Sequence, residues 1–264
     1  MPPETATDSS RAARSGEELF RQVARELSRH DYYLKMHGFR FRTILETISR
    51  FQPVAGGRLL DVGCWPGYLS MYFKRSGWEV DAIDLKPDRI PDVIESGVAV
   101  LARNLNEEPG LPYPDGVFDW IVFTEVLEHL DPRLSARHFS EFRRILKPGG
   151  HLVLTTPNRY SLNGANLNPF RSNASQVDAE GHGHWKEYKL AEVIGLVSGA
   201  GMEPVFSERI SFYAHLGRSD GEGYFPLGEW WSRGNRLRNA AKQVLRLPRM
   251  IPLLKDSLIC VARG

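Results

Sequence analysis

Leu59-Leu-Asp-Val-Gly-Cys-Trp-Pro-Gly67 is the stretch from which the rest of the chain can be read. The apolar run Arg58-Leu-Leu-Asp-Val62 reads as a strand, it breaks at a glycine turn, and helical residues follow from Trp65 to Ser76. Working outward, Trp78-Glu-Val-Asp-Ala-Ile83 is a second strand with a short helix after Pro87, and Val98 to Ala102 is a third strand. Phe118-Asp-Trp-Ile-Val-Phe123 is a fourth strand, and a helix runs from about Arg133 to Leu146. Lys147-Pro-Gly-Gly150 is a turn, and His151-Leu-Val-Leu-Thr-Thr156 a fifth strand. A helix over about Tyr188 to Ala200, a strand near Val205 to Ile210 and a closing strand at Ser257-Leu-Ile-Cys-Val261 complete the series. This alternation predicts an α/β fold, a doubly wound, mainly parallel seven-stranded sheet whose right-handed crossovers put helices on both faces.

Ahead of the first strand, Ser15-Gly-Glu-Glu18 has the form of a capping box, and Leu19, Phe20, Val23 and Leu27 recur at helical spacing. Phe41, Ile44, Leu45 and Ile48 repeat that spacing. The expected organisation is a disordered tail over 1–15 and a single domain over 16–264. That domain has N-terminal helices (16–52), the α/β core (58–210), a helical insertion (211–256) and the last strand (257–264). The polar stretch Asn158 to Gly183 is long for a loop in a compact domain, a length that usually marks a functional lid or a flexible segment.

Composition narrows the function classes. With 42% hydrophobic and 25% charged residues among 264, this is ordinary globular chemistry. No apolar run approaches the ~18 residues that a membrane span needs. Residues 1–15 carry no apolar segment of the secretory type, so a cytoplasmic setting is expected. Two cysteines, Cys64 and Cys260, exclude a disulfide framework and a cysteine-based zinc site. The net charge of +2 is uninformative, but Trp231 to Lys255 holds seven Lys or Arg residues and no acidic one. Leu237, Ala240, Ala241, Val244 and Leu245 form an apolar stripe there. Such a helix packs on its own domain with a solvated basic face, or makes peripheral contact with an anionic membrane through 231–255. No nucleic-acid recognition motif is present, and nothing sets the oligomeric state.

In open α/β sheets, ligands bind beyond the carboxyl ends of the strands, where the strand order reverses. A dinucleotide would want G-x-G-x-x-G to seat its pyrophosphate. The loop Asp61-Val-Gly-Cys-Trp-Pro-Gly67 lacks that spacing, and Asp61 would set a negative charge beside the phosphates. A cofactor with a sulfonium and no phosphate suits the loop better, which favours S-adenosylmethionine. Asp84, 21 residues after Gly63, ends the second strand and is placed to accept hydrogen bonds from both ribose hydroxyls.

The loop resembles the first motif of the class I S-adenosylmethionine-dependent methyltransferases, whose fold is Rossmann-like. Leu111-Pro-Tyr-Pro-Asp-Gly-Val-Phe-Asp119 with Glu125-Val-Leu-Glu-His-Leu130 is similar to their fourth-strand region, and Leu146 to Asn158 to their fifth. The resemblance covers about Arg58 to Pro204. It implies that Asp61, Gly63 and Gly67 shape the pocket around the methionine moiety, with Cys64 in the same loop as a small space-filler. It also implies that Asp84 binds the ribose, that Leu85 and Leu105 sandwich the adenine with Asn104 at its amino edge, and that Thr124 offers backbone to the methionine end. Trp65 departs from the pattern, which usually has glycine there, so its ring must point away from the cofactor or reshape the pocket.

Methyl transfer is an in-line displacement in which positioning supplies much of the acceleration, and a hydroxyl or amine acceptor must also lose a proton. His129 and His184 are the candidates for that proton, with His182 near by. If helical, Glu125, Glu128 and His129 share one face. Their segment resembles the Glu-x-x-Glu-His element with which some O-methyltransferases hold magnesium, and His184 stands where a further ligand is found. Glu125, Glu128, His129 and His184 are thus the candidate metal set. Against it, two carboxylates with imidazoles are a mixed set for a cation that prefers oxygen and water. The bland role for His129 is to pack and stabilise its turn. The expected function is methyl transfer from S-adenosylmethionine to a small-molecule acceptor, preferably at a hydroxyl oxygen. The alternatives are a non-catalytic cofactor- or partner-binding protein on this fold, or an enzyme acting on a lipid-linked or nucleic-acid substrate.

Overall fold

The computed structural model describes residues 18–27, 31–51, 56–161, 183–210 and 257–264. The expected tail, the cap at Ser15, most of the polar stretch (162–182, with His182) and the basic insertion 211–256 lie outside them.

Two helices precede the sheet, α1 over 18–26 and α2 over Asp31–Phe51. Most of the apolar positions that predicted them are buried, Phe20, Val23 and, just past the first helix, Leu27, then Phe41, Ile44 and Ile48 on the second, while Leu19 and Leu45 are half-buried. The strands and helices that follow are β1 (Arg58–Val62), α3 (Tyr68–Arg75), β2 (Glu79–Asp84), α4 (Pro91–Glu95), β3 (Ala99–Ala102) and β4 (Phe118–Thr124). Then come α5 (Ser135–Ile145), β5 (Leu146–Pro157), α6 (Leu190–Gly199), β6 (Glu203–Ile210) and β7 (Ser257–Arg263). The seven strands lie in the order β3-β2-β1-β4-β5-β7-β6. β1 to β5 pair in parallel, and β7 runs antiparallel to both its neighbours, β5 and the edge strand β6.

Period-two alternation sorts the strand residues onto two faces. Leu59, Val80, Ala82, Trp120, Val122, Val153, Ile259 and Val261 join a core under α1–α4. Leu60, Val62, Ile83, Ile121, Phe123, Leu152, Leu154 and Leu258 join a second core under α5 and α6. Phe20, Phe41 and Tyr68 meet at ring-centroid distances of 5.2–6.3 Å, which fastens α1 and α2 to α3. Truncating one such buried ring costs about 3–5 kcal/mol.

One local expectation is corrected. Lys147-Pro-Gly-Gly150 does not stand apart as a turn; it is the first part of β5. The ladder to β4 shifts register between Phe118 and Trp120, which absorbs the irregular backbone. Gly149 N–H donates to Gly264 O at 2.9 Å and Gly264 N–H to Gly150 O at 2.8 Å, so the polar backbone is paired.

The chain builds β1 to β3 outward, then returns to lay β4 beside β1. The reversal opens a crevice at the carboxyl ends of β1 and β4. Among the described residues, no helix is long and apolar enough to cross a membrane.

Candidate cofactor and methyl-transfer site

The loop after β1 is held by its neighbours. Gly63 N–H donates to Ile83 O at 2.8 Å, and Gly63 has φ +73°; a Cβ there would lie 2.2 Å from Val126 Cγ2. Gly67, with φ +104°, caps α3, and a Cβ there would lie 2.2 Å from Val93 Cγ2. Both positions therefore need glycine for conformation and for space. The loop is drawn close against β2, α4 and the segment after β4.

Asp61 points to the α3 side and is buried, with Ser70 Oγ donating to its Oδ2 at 2.5 Å. Burial pushes its carboxyl up to about 7; the Ser70 bond opposes the shift and the charge of Asp84 adds to it. The Cys64 thiol is buried and pushed well above its ordinary value, mainly by desolvation, so it is inert, consistent with space-filling. Asp84 uses one oxygen on Trp65 N–H (3.1 Å) and the other on Lys86 N–H (2.9 Å). Each carboxylate oxygen keeps a second lone pair for a ligand hydroxyl. Trp65 is 39% exposed and Leu85 38%, so both stand at the rim. Leu105 is buried. Asn104 Oδ1 accepts Asn106 N–H at 3.1 Å, and Thr124 ends β4.

Beyond β4 the backbone departs from expectation. Glu125, Glu128 and His129 do not share a helical face, because Glu125 has φ +55° and only Leu127–His129 forms a short 3₁₀ turn. Glu125 swings toward α2 instead, where Arg40 Nη1 lies 3.2 Å from its Oε2 with both side chains largely buried. Glu125 Oε1 is buried and has no hydrogen-bond partner. Arg40 is a site residue that the sequence reading missed. The signal was available, since Arg40 stands four residues before Ile44, within the apolar stripe of α2.

Glu128 is 1% exposed and accepts Thr156 Oγ1–H at 2.9 Å. Burial, and then the charge of Glu125, raise its carboxyl well above the usual range. Its backbone carbonyl accepts Trp185 N–H at 2.7 Å, which brings the segment after Gly183 to the site. His129 Nδ1 lies 2.6 Å from Gly183 O, and the His129 and His184 rings meet edge-on with centroids 5.0 Å apart. Donor atoms of Glu128, His129 and His184 fall within 4.8 Å of one another; Glu125, engaged by Arg40, is not in that group.

The methyltransferase domain family matches residues 36–205, well over half of the chain. The chain belongs to this family. It is similar to a ubiquinone biosynthesis O-methyltransferase of Xanthomonas euvesicatoria, 35% identical over 165 residues that span 60% of this chain and 68% of that protein. In fold it is similar to an S-adenosylmethionine-dependent methyltransferase from Archaeoglobus fulgidus, with TM-score 0.56, 18% identity, and 88% and 99% of the two chains covered. It is likewise similar to a Burkholderia thailandensis 1,6-didemethyltoxoflavin-N1-methyltransferase solved with S-adenosylhomocysteine and its acceptor. There the TM-score is 0.55 at 16% identity, over 100% and 92% of the chains. The enzyme is an S-adenosylmethionine-dependent methyltransferase of class I, with the sheet order and the mixed final strand described above. The reading of the fold and of the cofactor stands.

Proposed function

We propose that this methyltransferase moves a methyl group from S-adenosylmethionine to a hydroxyl oxygen of a small-molecule acceptor. The observation that carries this reading is the His129–His184 pair at the carboxyl edge of β4, next to the glycine loop. The printed name of the Xanthomonas relative, an O-methyltransferase, supports the choice of oxygen.

The residues at the crevice fit the cofactor. Its α-amino-acid end brings an ammonium and a carboxylate; Glu125 Oε1, a buried carboxylate oxygen without a partner, suits the first, and Arg40 suits the second. Asp84 takes the ribose hydroxyls, Leu85 and Leu105 the adenine faces, and Asn104 the amino edge. Thr124 lends backbone, and Asp61 places a negative charge beneath the loop formed by Gly63, Cys64 and Gly67. Trp65 is 39% exposed, which fits an indole outside this crevice.

Bound S-adenosylmethionine supplies a methyl group on a positively charged sulfur. The protein's part is to place the acceptor oxygen in line and to take its proton. Since Gly183 O can only accept, His129 Nδ1 carries the hydrogen, and the ring's lone pair is on Nε2. That nitrogen is the base of choice. His184, packed edge-on against His129, orients the acceptor and shares the charge that develops.

Magnesium is not well matched. Two imidazoles and one deeply buried carboxyl give a hard cation few oxygen ligands, and Glu125 lies outside their group, with its Oε2 on Arg40. No step is assigned to a metal. The basic segment 231–255, on which a lipid-facing role would rest, lies outside the described residues.

The test is release of S-adenosylhomocysteine from S-adenosylmethionine with a panel of soluble phenols and hydroxyacids, with Asp84→Ala as control. Turnover that needs a hydroxyl and is lost in the control is expected. Turnover only with amines or thiols would overturn the oxygen assignment.

A further inference from the structure

Asn106 sits between the two halves of the site and touches both. On the adenine side its backbone N–H donates to Asn104 Oδ1 at 3.1 Å, and Leu105 lies between them. That loop is closed on itself, since Asn104 O accepts the N–H groups of Glu107 (3.1 Å) and Glu108 (2.8 Å). On the other side the Asn106 carboxamide grips the turn that carries His129. Its Nδ2 donates to His129 O at 3.3 Å, and its Oδ1 accepts Asp131 N–H at 2.7 Å. The side chain thus imitates a stretch of backbone pairing with residues 129–131, and it joins segments 23 and 25 residues away along the chain.

The same turn is gripped from its far end by Gly183 O on His129 Nδ1 and by Trp185 N–H on Glu128 O. Leu130 ends the 3₁₀ turn with extended backbone, so the His129 main chain is fixed chiefly by what it pairs with. A carboxamide offers one donor and one acceptor in a fixed plane, which suits two backbone groups of opposite kind. The 104–106 loop is therefore tied to the 129–131 turn by two side-chain hydrogen bonds, one to His129 O and one from Asp131 N–H.

We propose that Asn106 is a positioning residue that couples the seating of the adenosyl group to the placement of the His129 imidazole. The proposal rests on the cofactor reading above. It adds that the contacts already holding the 128–131 turn also connect it to the adenine-side loop. The coupling is carried by a physical contact with a donor and an acceptor that can be removed separately.

The experiment follows the ring carbon–proton signal of His129 in the full chain labelled at histidine, assigned by its loss in His129→Gln, during titration with S-adenosylhomocysteine. Calorimetry on the same samples gives the affinity. In the wild type the signal should move on saturation. In Asn106→Ala, S-adenosylhomocysteine should still bind within about threefold of wild-type affinity, while the His129 shift falls to less than a third. Asn106→Asp retains the acceptor for Asp131 N–H and loses the donor to His129 O. It should keep the fold and the affinity and lose most of the response.

A full His129 response in either bound variant would overturn the proposal. So would loss of folding in both, which would place Asn106 in stability alone. If the wild type fails to bind S-adenosylhomocysteine, the cofactor reading falls first and takes the coupling with it. That outcome is distinct from binding without coupling.

Discussion

The Asp84 carboxylate accepts the backbone N–H of Trp65 at 3.1 Å, tying the end of β2 to the loop that follows β1. The contact sets both residues at once. It orients the carboxylate, and it holds the main chain of Trp65, a residue 39% exposed.

Asp84→Ala removes that tie and the acceptor for the ribose. Hydrogen bonds to a charged group contribute about 1.5–3 kcal/mol each, so affinity for S-adenosylhomocysteine should fall roughly 100-fold by calorimetry. Unchanged affinity would remove Asp84 from the ribose site.

Gly63→Ala forces an L-residue to φ +73° and drives its methyl into Val126. Together these should destabilise the protein by roughly 3 kcal/mol, seen as a lower denaturation midpoint. Adding Val126→Ala should recover the steric part and leave the conformational part. Full recovery would show that the backbone strain is negligible.

Asp61 gives the cofactor affinity a pH dependence. Its carboxyl is held at about 7 by burial, whereas a bound sulfonium favours the ionised form. Binding of S-adenosylmethionine should therefore weaken as pH falls below about 7, approaching tenfold per pH unit if ionisation is required. S-adenosylhomocysteine, without the sulfonium charge, should show a shallower trend in the same calorimetric series from pH 8 to 6. Parallel curves would contradict a role for the Asp61 charge.

His184→Ala should lower turnover far more than cofactor affinity, because its ring packs edge-on against His129, the proposed base. The comparison is between S-adenosylhomocysteine release with an oxygen acceptor and its calorimetric dissociation constant. Full activity would return the histidine to a packing role.

Much of this was legible in the chain. Strand and helix periodicity located β1, β2, β4, α3 and α6 within a few residues, because each buries the face that its pattern displays. The glycine loop was readable because Gly63 and Gly67 have no room for a side chain. What escaped depends on partners distant along the chain. Nothing local to Glu125 announces that it leaves helical geometry to meet Arg40, 85 residues earlier. Lys147-Pro-Gly-Gly150 carries turn chemistry, yet its backbone is paired with Gly264. Asn106 looks like any loop asparagine until the 129–131 turn is laid against it.

A crystal structure with S-adenosylhomocysteine bears on the whole account most directly. It should show the ribose hydroxyls on Asp84, the adenine over Leu105, the amino-acid carboxylate near Arg40, and the Trp65 indole outside the crevice. An indole folded into that space, with the nucleoside bound elsewhere or not at all, would contradict it.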